Sequence, residues 1–234
     1  MASRPANYLL QQLSDADFQA FRRDLEPVSL NKGQVLYEPE QEVDRVYFPE
    51  SGLITLLNTM ISGATAETAA IGRGGGVGFV EACGSEKIFS RAIVQLPGVA
   101  WLASASRYRR IYHASRSFRV AIHTSVELQL AEARQNLACN SVHPAHQRLA
   151  RWLLDCQEAS GCGDDLSLTH EFLSAMISVQ RTTVTLIVGQ LEAANLIRQG
   201  RGHIIIKDRA GLAARACECR DTVASLRRAI EPKA

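Results

Sequence analysis

The stretch that most constrains the fold of this chain runs over residues 168–207, LTHEFLSAMISVQRTTVTLIVGQLEAANLIRQGRGHIIIK. Thr169 followed by Glu171 forms an N-cap candidate, and Phe172, Leu173, Met176 and Ile177 repeat every three to four residues, as a short amphipathic helix requires. The pattern breaks at Ser178 and Val179. A second stripe, Val184, Ile187, Val188 and Leu191, has the spacing of a helix buried along one side. This second helix opens with Gln180, Arg181, Thr182 and Thr183, with Thr185 on the same polar side. Its start therefore carries hydrogen-bonding groups suited to base edges. Ile197-Arg198 and His203 to Ile206 then read as two β runs around the turn Gln199-Gly200-Arg201-Gly202. Helix, turn, helix and hairpin together predict a winged helix-turn-helix.

A pair of amphipathic helices alone is common packing. The order of the parts, the polar start of the second helix and the basic wing are what point to nucleic acid. The segments 168–173, 179–185 and 191–197 resemble the DNA-binding domain of the Crp/Fnr family of bacterial transcription regulators, named for the cyclic AMP receptor protein.

The rest of the chain is consistent with such a protein. Its 234 residues suffice for two modest domains, and 46% hydrophobic with 21% charged residues is an ordinary globular composition. No apolar run approaches the ~20 residues of a membrane span. The first fourteen residues have no apolar core of signal-peptide length, so a cytoplasmic location is expected. The six cysteines, at 83, 139, 156, 162, 217 and 219, are scattered and read as free thiols rather than a disulfide framework. A net charge of +2 decides little, but arginines concentrate toward the C-terminus (Arg181, Arg198, Arg201, Arg209, Arg215, Arg220), where phosphate contacts would be made.

Before the helix-turn-helix, Ser14 caps a predicted helix carrying Phe18, Phe21 and Leu25. Short β runs follow at 33–37, 45–48, 52–57, 67–71, 92–95 and 99–102. They read as a β-roll, similar to the cyclic-nucleotide-binding sensor domain of the same family. The fold class expected is thus α+β: a cyclic-nucleotide-binding-like β-roll over 1–116, a long dimerisation helix and hinge over 117–140, and a winged helix-turn-helix domain over 141–234.

The glycine-rich stretch at 72–78 could expose backbone N–H groups to a phosphate. A dinucleotide-binding reading fails, since no long crossover helix and paired acidic strand follow. In the family, the corresponding cassette uses a glutamate on the ribose and an Arg-Ser pair on the cyclic phosphate. Here Gly76 stands where the glutamate would fall, and the pair is reversed to Ser90-Arg91. Cyclic AMP is accordingly not the expected effector. The pocket candidates for any anion are Gly75, Gly76, Val77, Gly78, Phe79, Ser90 and Arg91.

No cysteine precedes Cys83, which argues against the family's iron–sulfur cluster. Haem is left open on His113 or His123. His143-Pro144-Ala145-His146 and Cys217-Glu218-Cys219 are each too short for a zinc site by themselves, though they could form one together with other groups. No metal is assigned.

From Ser117 the chain suits a long helix, with Phe118, Ile122, Val126, Leu130 and Leu137 as an apolar stripe. The stripe either pairs with a second copy or packs on the roll, and the family resemblance favours the homodimer. Pro144 opens the next helix, Ser160 to Gly163 ends it, and residues 211–230 read as one terminal helix.

The resemblance implies a homodimeric regulator of double-stranded DNA with an inverted-repeat operator and RNA polymerase as a further partner. Thr169, Gln180, Arg181, Thr182, Thr183, Thr185, Arg198, Arg201 and His203 are the DNA-facing candidates. The competing reading is a ligand-binding regulatory module acting through a protein partner. No nucleophile–base pair or acid cluster suggests an enzyme.

Overall fold

The computed structural model describes residues 4–230; residues 1–3 and 231–234, assigned above to the ends of the first and third segments, lie outside the described residues. Two short helices lead into the N-terminal domain, α1 (Tyr8–Gln11) and α2 (Asp15–Arg22). The Ser14 hydroxyl accepts from the Asp17 N–H at 3.1 Å, closing the first turn of α2 and turning Phe18 and Phe21 inward.

Seven strands follow: β1 (Glu26–Leu30), β2 (Val35–Tyr37), β3 (Arg45–Pro49), β4 (Leu53–Thr59), β5 (Thr65–Ile71), β6 (Arg91–Leu96) and β7 (Gly98–Ser104). They form two antiparallel sheets, ordered β1-β7-β3 and β2-β6-β4-β5, which is the expected β-roll. Strand β1 was not among the expected runs. Pro27 and a mostly exposed face mask it, and its pairing with β7 defines it.

Helices α3 (Ala105–Ala114) and α4 (Arg116–Val142) close one end of the roll over an aromatic cluster. Phe21 meets Phe48 and Phe118 edge-on at 5.9 and 5.4 Å between ring centroids, and Tyr108 meets Phe118 at 5.6 Å. Edge-to-face geometry adds about 0.5–1.5 kcal/mol per pair beyond the area buried.

Helix α4 is capped by Ser115 and runs 27 residues, through Asn140, Ser141 and Val142, past the bound of 140 expected for it. Those residues are weak helix formers, yet none of them stops a helix; Pro144 does, by forcing His143 into an extended conformation (φ −93°, ψ 144°). Helix α5 (Ala145–Ser160) follows with Pro144 as its N-cap and ends where Gly161 adopts φ +63°.

The C-terminal unit comprises β8 (Asp165–Leu166), α6 (His170–Met176), α7 (Arg181–Ala193), β9 (Ile197–Gly200), β10 (His203–Ile206), α8 (Arg209–Arg215) and α9 (Cys219–Ile230), with the sheet ordered β8-β10-β9. The single terminal helix expected over 211–230 is in fact two. Ala216 is extended (ψ 156°) and reverses the chain so that α9 lies along α4.

The two domains share a seam. Leu53 and Leu96 of the roll belong to the same buried cluster as Leu149, Leu153 and Leu154 of α5. Backbone bonds cross it from Gly52 N–H to the Ser160 carbonyl (2.8 Å) and from Arg73 N–H to the Ala159 carbonyl (3.0 Å). Among the described residues no helix is long and apolar enough to cross a membrane.

Candidate nucleic-acid interface

The Thr169 hydroxyl accepts from the Phe172 N–H at 3.2 Å and starts α6. Ser178, at φ +51°, makes the left-handed bend that ends it. Helix α7 then leaves at 106° to α6, inside the range of DNA-binding helix pairs. Val184, Ile187, Val188 and Leu191 are buried, each worth about 1.5–3 kcal/mol of transfer from water, and they fix which face of α7 looks outward.

That outward face carries Gln180, Arg181, Thr182 and Thr185, all exposed, with Thr183 half-buried beside them. Gln180 occupies the N-cap without a side-chain bond to the first turn, so the leading N–H groups of α7 are open to an anion. Thr185 is held: its hydroxyl donates to the Arg181 carbonyl at 3.1 Å and lies 3.0 Å from His170 Nδ1.

In the wing, His203 pairs with Gly200 and Ile206 with Ile197, and Gly202 turns the chain at φ +78°. Gln199 binds Glu192 at the end of α7 through its backbone N–H (2.9 Å) and its side-chain amide (2.8 Å), fixing the wing against the helix. His203 Nδ1 lies 3.0 Å from Asp165 on β8. Between α7 and the wing opens a cleft lined by Thr169, His170, Arg181, Gln199, Gly202 and His203.

Arg181, Arg198 and Arg201 are exposed, and among the described residues none is held by an ion pair. Arg209 and Arg220 differ. Both engage Glu158, at 3.4 and 3.0 Å, and so serve packing within the domain. Sequence reasoning also missed Arg148, which is buried on α5 and donates to the Ile177 carbonyl at 2.8 Å and to Asn140 at 2.9 Å. It ties the end of α4 to the turn of the helix pair, and a lone arginine in an amphipathic stretch gives no signal of that.

The pocket candidates do not converge on an open cradle. Val77 and Phe79 are core residues, and Val77 bridges to Tyr47. A Cβ on Gly76 would sit 3.0 Å from the Tyr47 carbonyl oxygen, and one on Gly78 would sit 2.8 Å from that of Arg45. Ser90 bonds Asn58, and Arg91 is paired with Glu38 at 3.3 Å. Gly75 accepts from the Asn7 amide through its carbonyl, at 2.8 Å. His113 and His123, the haem candidates, both lie on exposed helix surface, with His123 3.1 Å from the Tyr112 hydroxyl.

The apolar stripe of α4 requires correction. Phe118 and Ile122 are fully buried in the roll, which takes these two out of a seam between copies, while Val126 is half-buried and packs against it. Leu130 and Leu137 face outward, 48% and 70% exposed, as does Val120. The reason is helical geometry: a row of i+4 steps drifts by about 40° per step at 3.6 residues per turn. By Leu130 it has rotated by roughly 120° from Phe118.

A β-roll joined by a long helix to a winged helix-turn-helix defines the architecture. The Crp-like helix-turn-helix domain matches residues 147–215. The whole fold is similar to a Crp/Fnr family transcriptional regulator from Thermus thermophilus (24% identity, covering 82% of this chain and 98% of that one, TM-score 0.67). It is also similar to FixK2 from Bradyrhizobium japonicum (15% identity, 82% and 98%, TM-score 0.69). The c-di-GMP responsive global regulator CLP of Xanthomonas campestris is a third (14% identity, 82% and 99%, TM-score 0.65). No curated protein sequence matches the chain. Residues 147–215 thus form a Crp-like helix-turn-helix domain, and the chain shares the overall fold of these regulators.

Proposed function

We propose that this protein is a transcription regulator of the Crp/Fnr type that binds an inverted-repeat operator as a homodimer, reading bases with the start of α7 and holding the DNA backbone with the wing. The observation that carries the reading is Arg181: a free, exposed guanidinium on the first turn of a helix set at 106° to its partner and beside a basic hairpin. A guanidinium there is suited to a bidentate contact with guanine O6 and N7. Gln180, Thr182 and Thr183 flank it, and the open N–H groups of α7 suit a phosphate. Thr169, Arg198, Arg201 and His203 border the same cleft or the wing and would contact phosphates.

The dimer is proposed to form along the exposed residues Val120, Leu130 and Leu137 of α4. Two-fold symmetry would then place two copies of α7 about one helical turn of DNA apart. On this reading the protein acts in the cytoplasm, in concert with RNA polymerase. The roll is read as a sensor domain whose glycine-rich stretch packs against α5. That packing is close at Gly72, where any Cβ would collide with the Ala159 carbonyl.

The test is a band-shift against genomic fragments over a range of salt concentrations, with the enriched fragments sequenced. Enrichment of a two-fold symmetric site, with affinity falling steeply as salt rises, is the expected result. Binding without sequence preference at every salt concentration would overturn the proposal and favour a module acting through a protein partner.

A further inference from the structure

Where α9 returns along α4, four side chains from two distant stretches meet. Cys139 and His143 lie one turn apart at the end of α4, and Cys217 and Cys219 flank the start of α9. Their sulfur and nitrogen atoms all lie within 4.8 Å of one another. Cys139 Sγ is 3.5 Å from Cys217 Sγ, and Cys219 Sγ is 3.5 Å from His143 Nδ1. Neither fragment is a metal motif by itself, since each supplies only two donors.

We propose that Cys139, His143, Cys217 and Cys219 form a structural zinc site that clips α9 to the end of α4. A tetrahedral zinc holds sulfur at about 2.3 Å and nitrogen at about 2.0–2.1 Å, which sets neighbouring donors on the order of 3.5–3.8 Å apart. The two closest donor pairs already stand at that spacing. Three thiolates and one imidazole are a donor set of structural zinc, and all three cysteines are at most 4% exposed, so no place is left for water or substrate.

The surroundings fit as well. His143 presents Nδ1 to the sulfurs while its Nε2 lies 3.0 Å from the Glu218 carboxylate, the arrangement that orients a ligating histidine. Gln135 donates its amide N–H to Cys219 Sγ at 3.1 Å. Arg151, buried nearby, faces Cys139 and Cys217 and offsets the charge of a three-thiolate site. An iron–sulfur cluster fits poorly, because its four ligands are spread over two or four irons, a wider set than donors that all lie within 4.8 Å of one another.

The clip would sit at the hinge. His143 is the last residue before Pro144 starts α5, and the Asn140 that receives Arg148 lies between the two α4 ligands. Zinc there would fix the angle at which the DNA-binding domain leaves α4. This inference does not depend on DNA binding, so the two can fail separately.

The full chain is to be purified without chelators and its metal content measured. One zinc per chain is expected. Reduced apoprotein titrated with cobalt should develop the visible bands of tetrahedral cobalt and near-ultraviolet thiolate charge transfer, saturating at one equivalent. Cys217→Ser and Cys139→Ser should lose the charge-transfer intensity in part and release zinc, while Cys156→Ser and Cys162→Ser leave both unchanged. Glu218→Gln should weaken zinc binding roughly 10-fold or more with the ligands intact. Failure of reduced wild-type protein to take up zinc or cobalt would overturn the proposal even if every variant misfolds. So would bound iron with an iron–sulfur spectrum, or cobalt bands of undiminished intensity in both Cys217→Ser and Cys139→Ser.

Discussion

At the scale of single residues, the proposed interface assigns Arg181 and Arg201 two kinds of DNA contact. Arg181 stands on the first turn of α7 and Arg201 at the tip of the wing, and both are exposed. Arg181→Ala is expected to cost about 1–3 kcal/mol on the operator and to relax the preference at one base pair. Arg201→Ala should weaken operator and random DNA alike and lower the salt slope by about 1. Anisotropy titrations on both DNAs at several salt concentrations measure this; equal losses for Arg181→Ala on the two would rule out base reading. Much at this scale was legible in the sequence. Thr169 caps where a threonine before an apolar stripe should, and the four buried residues of α7 were named by their spacing alone. What periodicity does not carry is partnership across the fold. The bond between Thr185 and His170 joins positions 15 apart, and Arg148 reaches Ile177 across 29.

At the scale of elements, α4 carries the sharpest difference between pattern and packing. One side of it is required by the roll, and Phe118 fills that role; the other side is left with Leu130 and Leu137. Phe118→Ala removes a buried ring that touches Phe21 and Tyr108 and should cost about 3–5 kcal/mol, seen as a lower melting temperature. Leu130→Glu with Leu137→Glu should leave circular dichroism and melting of the roll nearly unchanged while light scattering reports a monomer. A dimer surviving the double substitution would place the interface elsewhere. The sequence shows that α4 is long and apolar in rows, but a row of fours winds around a 27-residue helix, so which members face inward depends on a roll that local spacing does not describe. The terminal helix was misread for a related reason. No glycine or proline marks the break at Ala216, and the turn is defined by what α9 meets on α4.

At the scale of the whole molecule, the question is how the roll and the DNA-binding head are held together, and Glu67 makes that seam sensitive to pH. Glu67 on β5 accepts from the Trp152 indole N–H at 3.2 Å, across the seam to α5. Its other oxygen is enclosed without a hydrogen-bond partner among the described residues. Burial raises its pKa from 4.5 to about 8, against the lowering effects of the Trp152 bond and of Arg151. Between those two values the folded chain holds a proton that the unfolded chain has released. Folding stability is therefore fully present at low pH, declines as pH rises from about 4.5, and reaches its floor above about 8. Asp155, raised to about 6 by burial, acts in the same direction at lower pH, so the contribution of Glu67 has to be isolated by difference. Glu67→Gln keeps an oxygen for Trp152 and removes the charge. Melting temperatures of the wild type and of Glu67→Gln, measured from pH 4 to 9, should run together below about 4.5 and separate progressively up to about 8, with the variant more stable at the alkaline end. Parallel curves across that range would mean that the carboxylate is solvated and the seam is indifferent to its charge.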